Sequence, residues 1–169
     1  MKIGLLSDTH CFIDSHIYEH FVQCDEIWHA GDIGNLETAN KLQQFKPLRA
    51  VYGNIDGYSL RQIFPKNLLF TVEGMCVLMT HIGGYPGHYE REIYPLIVEN
   101  TPDIFICGHS HILKVMYDEK LKFLHINPGA AGKYGFHNVQ TIIRFDIKDK
   151  KIDNLEVIEM SKDFQKELT

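Results

Sequence analysis

Five short polar stretches of this chain carry residue types that bind metal ions, and each follows an apolar run. In chain order they are Asp8-Thr9-His10, Gly31-Asp32, Gly53-Asn54-Ile55-Asp56, His81 and Gly108-His109-Ser110-His111. They supply carboxylate, carboxamide and imidazole groups, a set that favours manganese, iron, zinc or magnesium over soft metals. Two such ions roughly 3.5–4 Å apart can activate one water and hold a phosphoryl group. The stretches therefore predict a two-metal hydrolytic site.

Spacing assigns provisional roles within this set. Asp8 and His10 are two residues apart, as are His109 and His111, so each pair can face one metal ion where a strand has just ended. Asp32 falls between the two groups of ligands in the sequence, which makes it the natural bridge between two ions. Taken singly, an Asp after a strand is more often a turn or helix-cap residue. The repetition of the pattern after five apolar runs favours metal binding over those separate explanations.

The ligands require strand ends that meet at one edge of a sheet. Apolar runs at residues 2–7, 26–30 and 48–52 predict three strands. Helices are predicted between them, from Asp14 or Ser15 to about residue 23 and over residues 35–45. This alternation predicts right-handed crossovers and a parallel sheet, with ligand residues outside its carboxyl ends.

The pattern changes after residue 67. Glu73-Gly74 is a turn signal that predicts a hairpin of residues 68–72 and 75–80, followed by a flexible loop at 82–87. A helix is predicted over residues 88–100, kinked or divided at Pro95. Further strands are predicted at residues 104–107, 113–117, 122–126, 141–147 and 152–160. Together, the predicted strands and helices indicate one α/β domain over residues 1–169, with two stacked mixed β-sheets flanked by helices.

Composition excludes several classes of protein. The chain has 169 residues, 44% of them hydrophobic, and a net charge of −5, which disfavours long nucleic acid and anionic membranes as partners. Its four cysteines form no C-x-x-C pair, and free thiols are typical of the cytoplasm. The apolar N-terminal run is too short for a signal peptide, and no run approaches a membrane span. We expect a cytoplasmic protein.

The order D-x-H, G-D, G-N-x-D, H, G-H-x-H resembles the calcineurin-like metallophosphoesterase superfamily over residues 1–147. The short length and Asn127-Pro128-Gly129 resemble its small prokaryotic phosphodiesterase branch. The resemblance implies the same fold and two divalent metal ions, with manganese favoured and iron, zinc, nickel or magnesium as alternatives. It implies that one ion is held by Asp8, His10, Asp32 and His111, and the other by Asp32, Asn54, His81 and His109. It also implies that Asp32, Asn54, His81 and His109 are the catalytic residues.

One position departs from the family pattern. Many members carry a histidine after the Asn of the third stretch, where it assists the leaving group, and this chain has Ile55 there. The loss of a general acid lowers the rate of hydrolysis by about 10²–10⁴-fold when the leaving group is poor. Phosphodiesters and activated esters are therefore the expected substrates. Asp56 is expected to orient a ligand from outside the metal shell, with a plain turn role as the alternative.

The predicted function is phosphodiester hydrolysis by a metal-bridging hydroxide that attacks a small phosphoester. One alternative is a non-catalytic interaction module, because the superfamily includes a retromer subunit that acts as a scaffold. Another is a protein that binds a single ion adventitiously. The physiological substrate stays open, as does the choice between a monomer and a small homo-oligomer. Tyr85, Tyr89, Arg91 and Lys133 are candidates either for substrate contact or for plain exposed side chains.

Overall fold

A computed structural model of the chain describes residues 1–162. Its strands, numbered in chain order, are β1 (Lys2–Leu6), β2 (Glu26–His29), β3 (Leu48–Ala50), β4 (Asn67–Val72), β5 (Met75–Thr80), β6 (Gly84–Tyr85), β7 (His88–Tyr89), β8 (Ile104–Ile106), β9 (Leu113–Asp118), β10 (Phe123–Pro128), β11 (Val139–Lys148) and β12 (Lys151–Ser161). Its helices are α1 (Ser15–Phe21), α2 (Leu36–Phe45), α3 (Tyr58–Ile63) and α4 (Tyr94–Asn100).

The strands form two five-stranded mixed sheets and one small hairpin. The first sheet has the order β12-β11-β1-β2-β3, in which β1, β2 and β3 are parallel and β11 pairs antiparallel with β1. The second sheet has the order β4-β5-β8-β10-β9, with β5, β8 and β10 parallel and an antiparallel strand at each edge. β6 and β7 pair with each other. The predicted mixed α/β fold is confirmed.

The main hydrophobic core lies between the two five-stranded sheets. Ile3 and Trp28 of the first sheet belong to one buried cluster with Val77 and Ile106 of the second. The Trp28 ring meets Phe70 edge to face, with ring centroids 5.0 Å apart. Because β-strand side chains alternate between faces, the opposite face of each sheet needs a separate cover.

Helices supply that cover. Buried residues of α1 and α2 pack with Leu6 and Ile27 on the outer face of the first sheet. Ile97 of α4 packs with Leu78 and Phe105 on the outer face of the second. The side chains of Asp14 and Asn35 accept backbone N–H bonds at the starts of α1 and α2, which is where the sequence predicted those helices to begin.

Two helical segments differ from the prediction. The helix predicted at residues 88–100 begins only at Tyr94, and Pro95 lies in its first turn, where proline is well tolerated, instead of at a kink. His88 and Tyr89 form β7, and together with β6 they replace the flexible loop predicted at residues 82–87. α3 was not predicted, because only one of its six residues, Leu60, is buried.

Two of the four cysteines are buried residues of the core. All four cysteines are free thiols, and Cys24 and Cys107 are buried. Burial raises the pKa of the Cys107 thiol to about 12, so it is an inert apolar residue of the second sheet. Among residues 1–162, no helix is long and apolar enough to cross a membrane.

His125 is a buried histidine whose ring is surrounded mainly by aromatic side chains. It lies on β10 between aromatic rings, with centroid distances of 5.8 Å to Phe105 and 6.1 Å to Tyr89. Neither ring nitrogen has a hydrogen-bond partner among the described residues. Burial lowers the pKa of His125 to about 4, so the folded protein holds a neutral imidazole.

We predict that His125→Phe reduces the acid sensitivity of folding. The unfolded imidazole binds a proton below about pH 6.5 while the folded one does so only near pH 4. His125 therefore lowers the free energy of unfolding as the pH falls through that window, by up to about 3 kcal/mol. Urea unfolding at several pH values should show that the free energy of unfolding falls less with decreasing pH in His125→Phe than in the wild type. His88→Phe, which replaces an exposed imidazole, should match the wild type. An equal decrease in the free energy of unfolding in His125→Phe and the wild type would contradict the prediction.

Candidate metal centre

The polar stretches lie at the ends of five strands and meet between the two sheets. Asp8 and His10 follow β1, Asp32 follows β2, and Asn54 follows β3 in the first sheet. The remaining ligand candidates follow strands of the second sheet. His81 comes directly after β5, and His109 and His111 come after β8. The structure thus brings together all seven residues that the sequence predicted as ligands.

Asp8, His10 and His111 form one group of convergent side chains. Asp8 Oδ1 lies 3.2 Å from His111 Nε2 and 4.0 Å from His10 Nε2. The two Nε2 atoms lie 3.3 Å apart. One ligand atom from each residue thus falls within the span that a single metal ion can bridge.

A second group surrounds His81. Its Nε2 atom lies 3.2 Å from Asp32 Oδ1, 3.0 Å from Asn54 Oδ1 and 4.0 Å from Asp8 Oδ1. The His109 ring stands edge to face with the His81 ring, at a centroid distance of 5.3 Å. Asp32, Asn54 and His81, three of the four residues that the family resemblance implied, thus bring ligand atoms together; Asp8 also faces this group, and His109 contacts it through its ring.

Asp32 lies between the two groups. Its Oδ1 faces His81, and its Oδ2 lies 3.8 Å from His10 Nε2. Each carboxylate oxygen therefore points toward a different group, which is the arrangement a bridging ligand needs. Asp8 Oδ1 is also within reach of both groups, so the two carboxylates together occupy the middle of the cluster.

The donor set fits divalent metal ions, and Asp8 gives the clearest sign. Its Oδ1 atom is buried and has no hydrogen-bond partner among residues 1–162, although three imidazole Nε2 atoms lie within 4.0 Å. A buried carboxylate oxygen without a partner costs several kcal/mol unless a cation neutralises it. Its Oδ2 is already used, since it accepts the backbone N–H of His109 at 3.1 Å.

His81 is oriented by a backbone carbonyl. Its Nδ1 donates to Ala30 O at 2.8 Å, which leaves Nε2 as the atom that faces Asp32 and Asn54. Burial alone would lower the pKa of His81, but the Asp32 and Asp8 carboxylates outweigh it and raise the pKa. Burial alone would raise the pKa of Asp32, but the hydrogen bond and charge of His81 and the Ile55 N–H lower it.

Asp56 fastens two ligand loops together. Its buried carboxylate accepts the backbone N–H groups of Ile33 at 3.2 Å, Gly34 at 2.7 Å and Gly53 at 2.8 Å. Ile33 and Gly34 follow Asp32, and Gly53 precedes Asn54. Asp56 thus fixes the position of Asn54 relative to Asp32, which supports the predicted orienting role over a plain turn.

His29 supports the same loops, a role that the sequence did not indicate because the residue lies within a strand. Its Nδ1 accepts the Gly31 N–H at 3.1 Å, and its Nε2 lies 3.0 Å from Thr9 Oγ1. The Thr9 hydroxyl donates to Ile33 O at 3.0 Å, so Nε2 is the protonated nitrogen. Burial lowers the pKa of His29 to about 4, and the neutral ring joins the loops after β1 and β2.

The side chain of Ile55 is exposed, whereas its backbone takes part in the site. The Ile55 N–H donates to Asp32 Oδ1 at 3.1 Å, which helps to orient the Asp32 carboxylate. The side chain is 46% exposed and offers no proton donor. The structure therefore agrees with the sequence that this position supplies no general acid.

Most of the ligand residues have a left-handed backbone. Asp8, His10, Asp32, His109 and His111 have φ angles of 55°, 46°, 54°, 69° and 57°. Residues other than glycine rarely adopt this conformation, and where they do, the site is often functional. The sharp turns let consecutive loops aim side chains at one point instead of continuing the strands.

Asn127 of the 127–129 segment braces the loop that follows β8. Its Nδ2 donates to Gly108 O at 2.8 Å and to Ser110 Oγ at 3.1 Å, and its Oδ1 accepts the Gly129 N–H at 3.0 Å. These bonds hold the residues on either side of His109. Asn127 thus helps to position the loop that carries this candidate ligand.

A cavity of about 530 Å³ adjoins the second group of ligands. Asn54 and His81 line it where it meets the centre, and Tyr52, Arg61, Lys66 and Arg91 line its other walls. Of the four candidate contact residues, only Arg91 lies in this wall. Tyr89 instead donates its hydroxyl to Asp118, and Lys133 lies over the Phe12 ring. Tyr134, which the sequence did not single out, packs its ring against His10 at 5.1 Å.

The fold and the site together define a metallophosphoesterase-type domain. Residues 1–150 match the family model of the calcineurin-like phosphoesterase superfamily domain, so the chain belongs to this superfamily. A probable metallophosphoesterase from Methanothermobacter thermautotrophicus is 30% identical over 77% of this chain and 77% of its own length. A phosphodiesterase from Methanocaldococcus jannaschii is 26% identical over 89% of this chain and 96% of its own length.

Solved structures share the fold at lower identity. Vps29 of Entamoeba histolytica, solved as a complex with Zn²⁺, has a TM-score of 0.75 and 16% identity, and the match covers 96% of this chain and all of that one. A predicted phosphoesterase from Streptococcus pneumoniae has a TM-score of 0.67 and 24% identity, with 95% of this chain and 89% of that one covered. At these identities the likeness establishes the fold alone.

Gly53 provides a test of how tightly the centre is packed. A Cβ at this position would meet Asp32 Oδ1 and the Asp32 backbone nitrogen at less than contact distance. We predict that Gly53→Ala displaces Asp32 and weakens metal affinity by about 10–100-fold, as measured by competition with a chelating dye. Gly57→Ala is the matched control, because nothing lies within 4 Å of a Cβ there. Equal affinities in the two variants would refute the packing argument.

Proposed function

We propose that this protein hydrolyses small phosphodiesters with two divalent metal ions, manganese being favoured, held by the seven ligands described above. One observation carries the proposal. Asp8 Oδ1 is buried without a hydrogen-bond partner among the described residues, and three imidazoles face it. The names of two archaeal relatives, a probable metallophosphoesterase and a phosphodiesterase, support the same class of activity.

Two bound ions would activate a water nucleophile and neutralise charge on the phosphoryl oxygens. The protein's own contribution is to hold the ligands in place. Asp32 presents one oxygen to each group, and its position depends on the N–H of Ile55 and on the Asp56 carboxylate. Ala30 keeps the proton of His81 on Nδ1, so Nε2 is free to act as a ligand.

The remaining polar groups act on the substrate in this proposal. Asn54 directs Oδ1 toward His81, which leaves its amide N–H groups to donate to a phosphoryl oxygen. His109 lies beside His81 at the same end of the second sheet and completes the second group. Asp32, Asn54, His81 and His109 are the residues that we expect to be catalytic.

Substrate preference follows from the absence of an acid at residue 55. A leaving group must depart without a proton from that position, which favours activated diesters over alkyl monoesters. The net charge of −5 disfavours long nucleic acid as a partner, and the four free thiols fit a cytoplasmic location.

We predict that the protein binds two ions and hydrolyses bis-p-nitrophenyl phosphate with added manganese. Asn54→Ala should reduce turnover by about 100-fold or more, because it removes a ligand and a donor to the transition state. Metal content by elemental analysis and release of p-nitrophenolate measure the two effects. Asn100→Ala on α4 serves as the control and should keep full activity.

Two outcomes would contradict this proposal. Two bound ions with no turnover of any phosphoester in a broad panel would favour the non-catalytic interaction module. One bound ion and unchanged activity in Asn54→Ala would favour the single-metal alternative.

We further predict that Ile55→His increases turnover of diesters with poor leaving groups by at least about ten-fold. The side chain is exposed and the Asp32 contact uses only the backbone, so the substitution leaves the ligands in place. A histidine there can protonate the departing oxygen. Rates with alkyl and p-nitrophenyl leaving groups should converge in this variant, while Ile55→Asn, which adds polarity without an acid, should not change their ratio. Unchanged turnover of diesters with poor leaving groups, at intact metal content, would contradict this prediction.

A further inference from the structure

The cavity beside the second ligand group is suited to hold part of a substrate. Its volume of about 530 Å³ is within the range of small-ligand sites, and it shares Asn54 and His81 with the candidate metal centre. A phosphodiester bound at the centre has two ester arms, and one of them would enter this cavity. What lines the cavity therefore indicates the chemistry of that arm.

Positive charge exceeds negative charge in the lining. Arg61, Lys66 and Arg91 are cationic, whereas Glu90 and Glu92 are anionic. The surplus stands out in a chain whose net charge is −5. Lys66 pairs with Glu92 at 2.5 Å, but both side chains are largely exposed, and such surface pairs contribute little, so Lys66 can exchange this partner.

Among the described residues, Arg91 is the cavity cation that lacks a polar partner for its side chain. In the part of the chain that the structure describes, residues 1–162, its guanidinium makes no hydrogen bond or ion pair. Its backbone is nevertheless held in place, because Glu90 O accepts the N–H groups of Ile93 and Tyr94, and the Ile93 side chain is buried. Arg91 thus presents five N–H donors from a fixed turn.

Arg61 connects the cavity wall to the metal-ligand loop. Its Nε donates to Asp56 O at 2.7 Å and its Nη2 to Asn54 O at 3.2 Å. The guanidinium also lies over the Tyr52 ring, 4.9 Å from the centroid. An arm seated against this wall would therefore be positioned relative to Asn54 by direct contacts.

We infer that the cavity binds the second ester arm of the substrate and that this arm carries its own negative charge, bound chiefly by Arg91, with Lys66 as a secondary partner. The inference rests on the proposed phosphodiesterase function and narrows it to diesters with an anionic, nucleotide-sized arm. The surplus of positive charge in the lining, together with the guanidinium fork of Arg91, favours a phosphate on the arm.

Two substrates with the same scissile bond test the inference. Thymidine 5′-(p-nitrophenyl phosphate) has a neutral arm, and its 3′-phosphorylated counterpart has an anionic one. With manganese-loaded wild-type protein, kcat/KM should be about ten-fold or more higher for the 3′-phosphorylated ester. The ratio should fall to about one in Arg91→Ala and stay intermediate in Arg91→Lys, which keeps the charge but loses the fork of donors.

Lys148→Ala is the matched control, because it removes an exposed cation from β11, outside the cavity lining. It should keep the wild-type ratio. A wild-type ratio near one, or a ratio that Arg91→Ala leaves unchanged, overturns the inference.

A binding measurement separates this inference from the proposed function. If wild-type protein hydrolyses neither ester, the proposed function fails. Calorimetry on manganese-loaded protein then tests whether the cavity binds an anionic arm. Thymidine 3′,5′-bisphosphate should then bind about ten-fold more tightly than thymidine 5′-monophosphate, and Arg91→Ala should abolish that difference. Equal affinities for the two nucleotides overturn the inference in this case as well.

Discussion

Three backbone N–H groups donate to the Asp56 carboxylate, and the position of the metal centre depends on those bonds. They come from the loops after β2 and β3, which carry Asp32 and Asn54. Without a shared acceptor, these buried donors would be unsatisfied and each loop would be free to move independently. The Ile55 N–H belongs to the loop that carries Asn54. It reaches Asp32 Oδ1 only because Asp56 fixes the distance between the two loops. A residue outside the set of candidate ligands thus determines where the Asp32 carboxylate lies.

Elsewhere in the site, too, residues that are not candidate ligands position the residues that are. His29 joins the loops after β1 and β2, Ala30 orients His81, and Asn127 braces the loop that carries His109. These contacts hold five ligand residues in a left-handed backbone, which costs on the order of 1 kcal/mol or more at each residue. The fold therefore brings the candidate ligands together, and contacts that fix their positions in this way would reduce the entropy lost on binding an ion.

Much of this architecture was predictable from local sequence, and the reasons are physical. Apolar runs followed by polar residues identified the strand ends that carry Asp8, Asp32, Asn54, His81 and His109, because buried strands and their exits differ sharply in composition. The structure brings those residues together, although their role as metal ligands stays a prediction. The orienting role of Asp56 was expected, but its partners Ile33 and Gly34 lie more than 20 positions away, and the role of His29 likewise depends on Thr9, 20 positions away; local patterns cannot reveal such contacts.

The prediction was wrong where tertiary packing overrides local preference. α3 buries only Leu60, so it lacks the periodicity that marks a helix. The segment around His88 looked helical, but Gly84 and Gly87 adopt positive φ angles and turn it into a hairpin. The cavity combines α3, the hairpin of β4 and β5, and the turn at Glu90, so its charge surplus appears only when these distant segments meet.

The ligand candidates come from both sheets, three strand ends from one and two from the other, and this has a thermodynamic consequence. An ion coordinated by Asp8 and His111 would join positions about 100 residues apart and act as a cross-link between the layers, comparable in effect to a long-loop disulfide. Ligation and folding would then be coupled equilibria, since the unfolded chain has no such site. Metal supply in the surroundings would set the lifetime of the folded molecule as well as its chemistry.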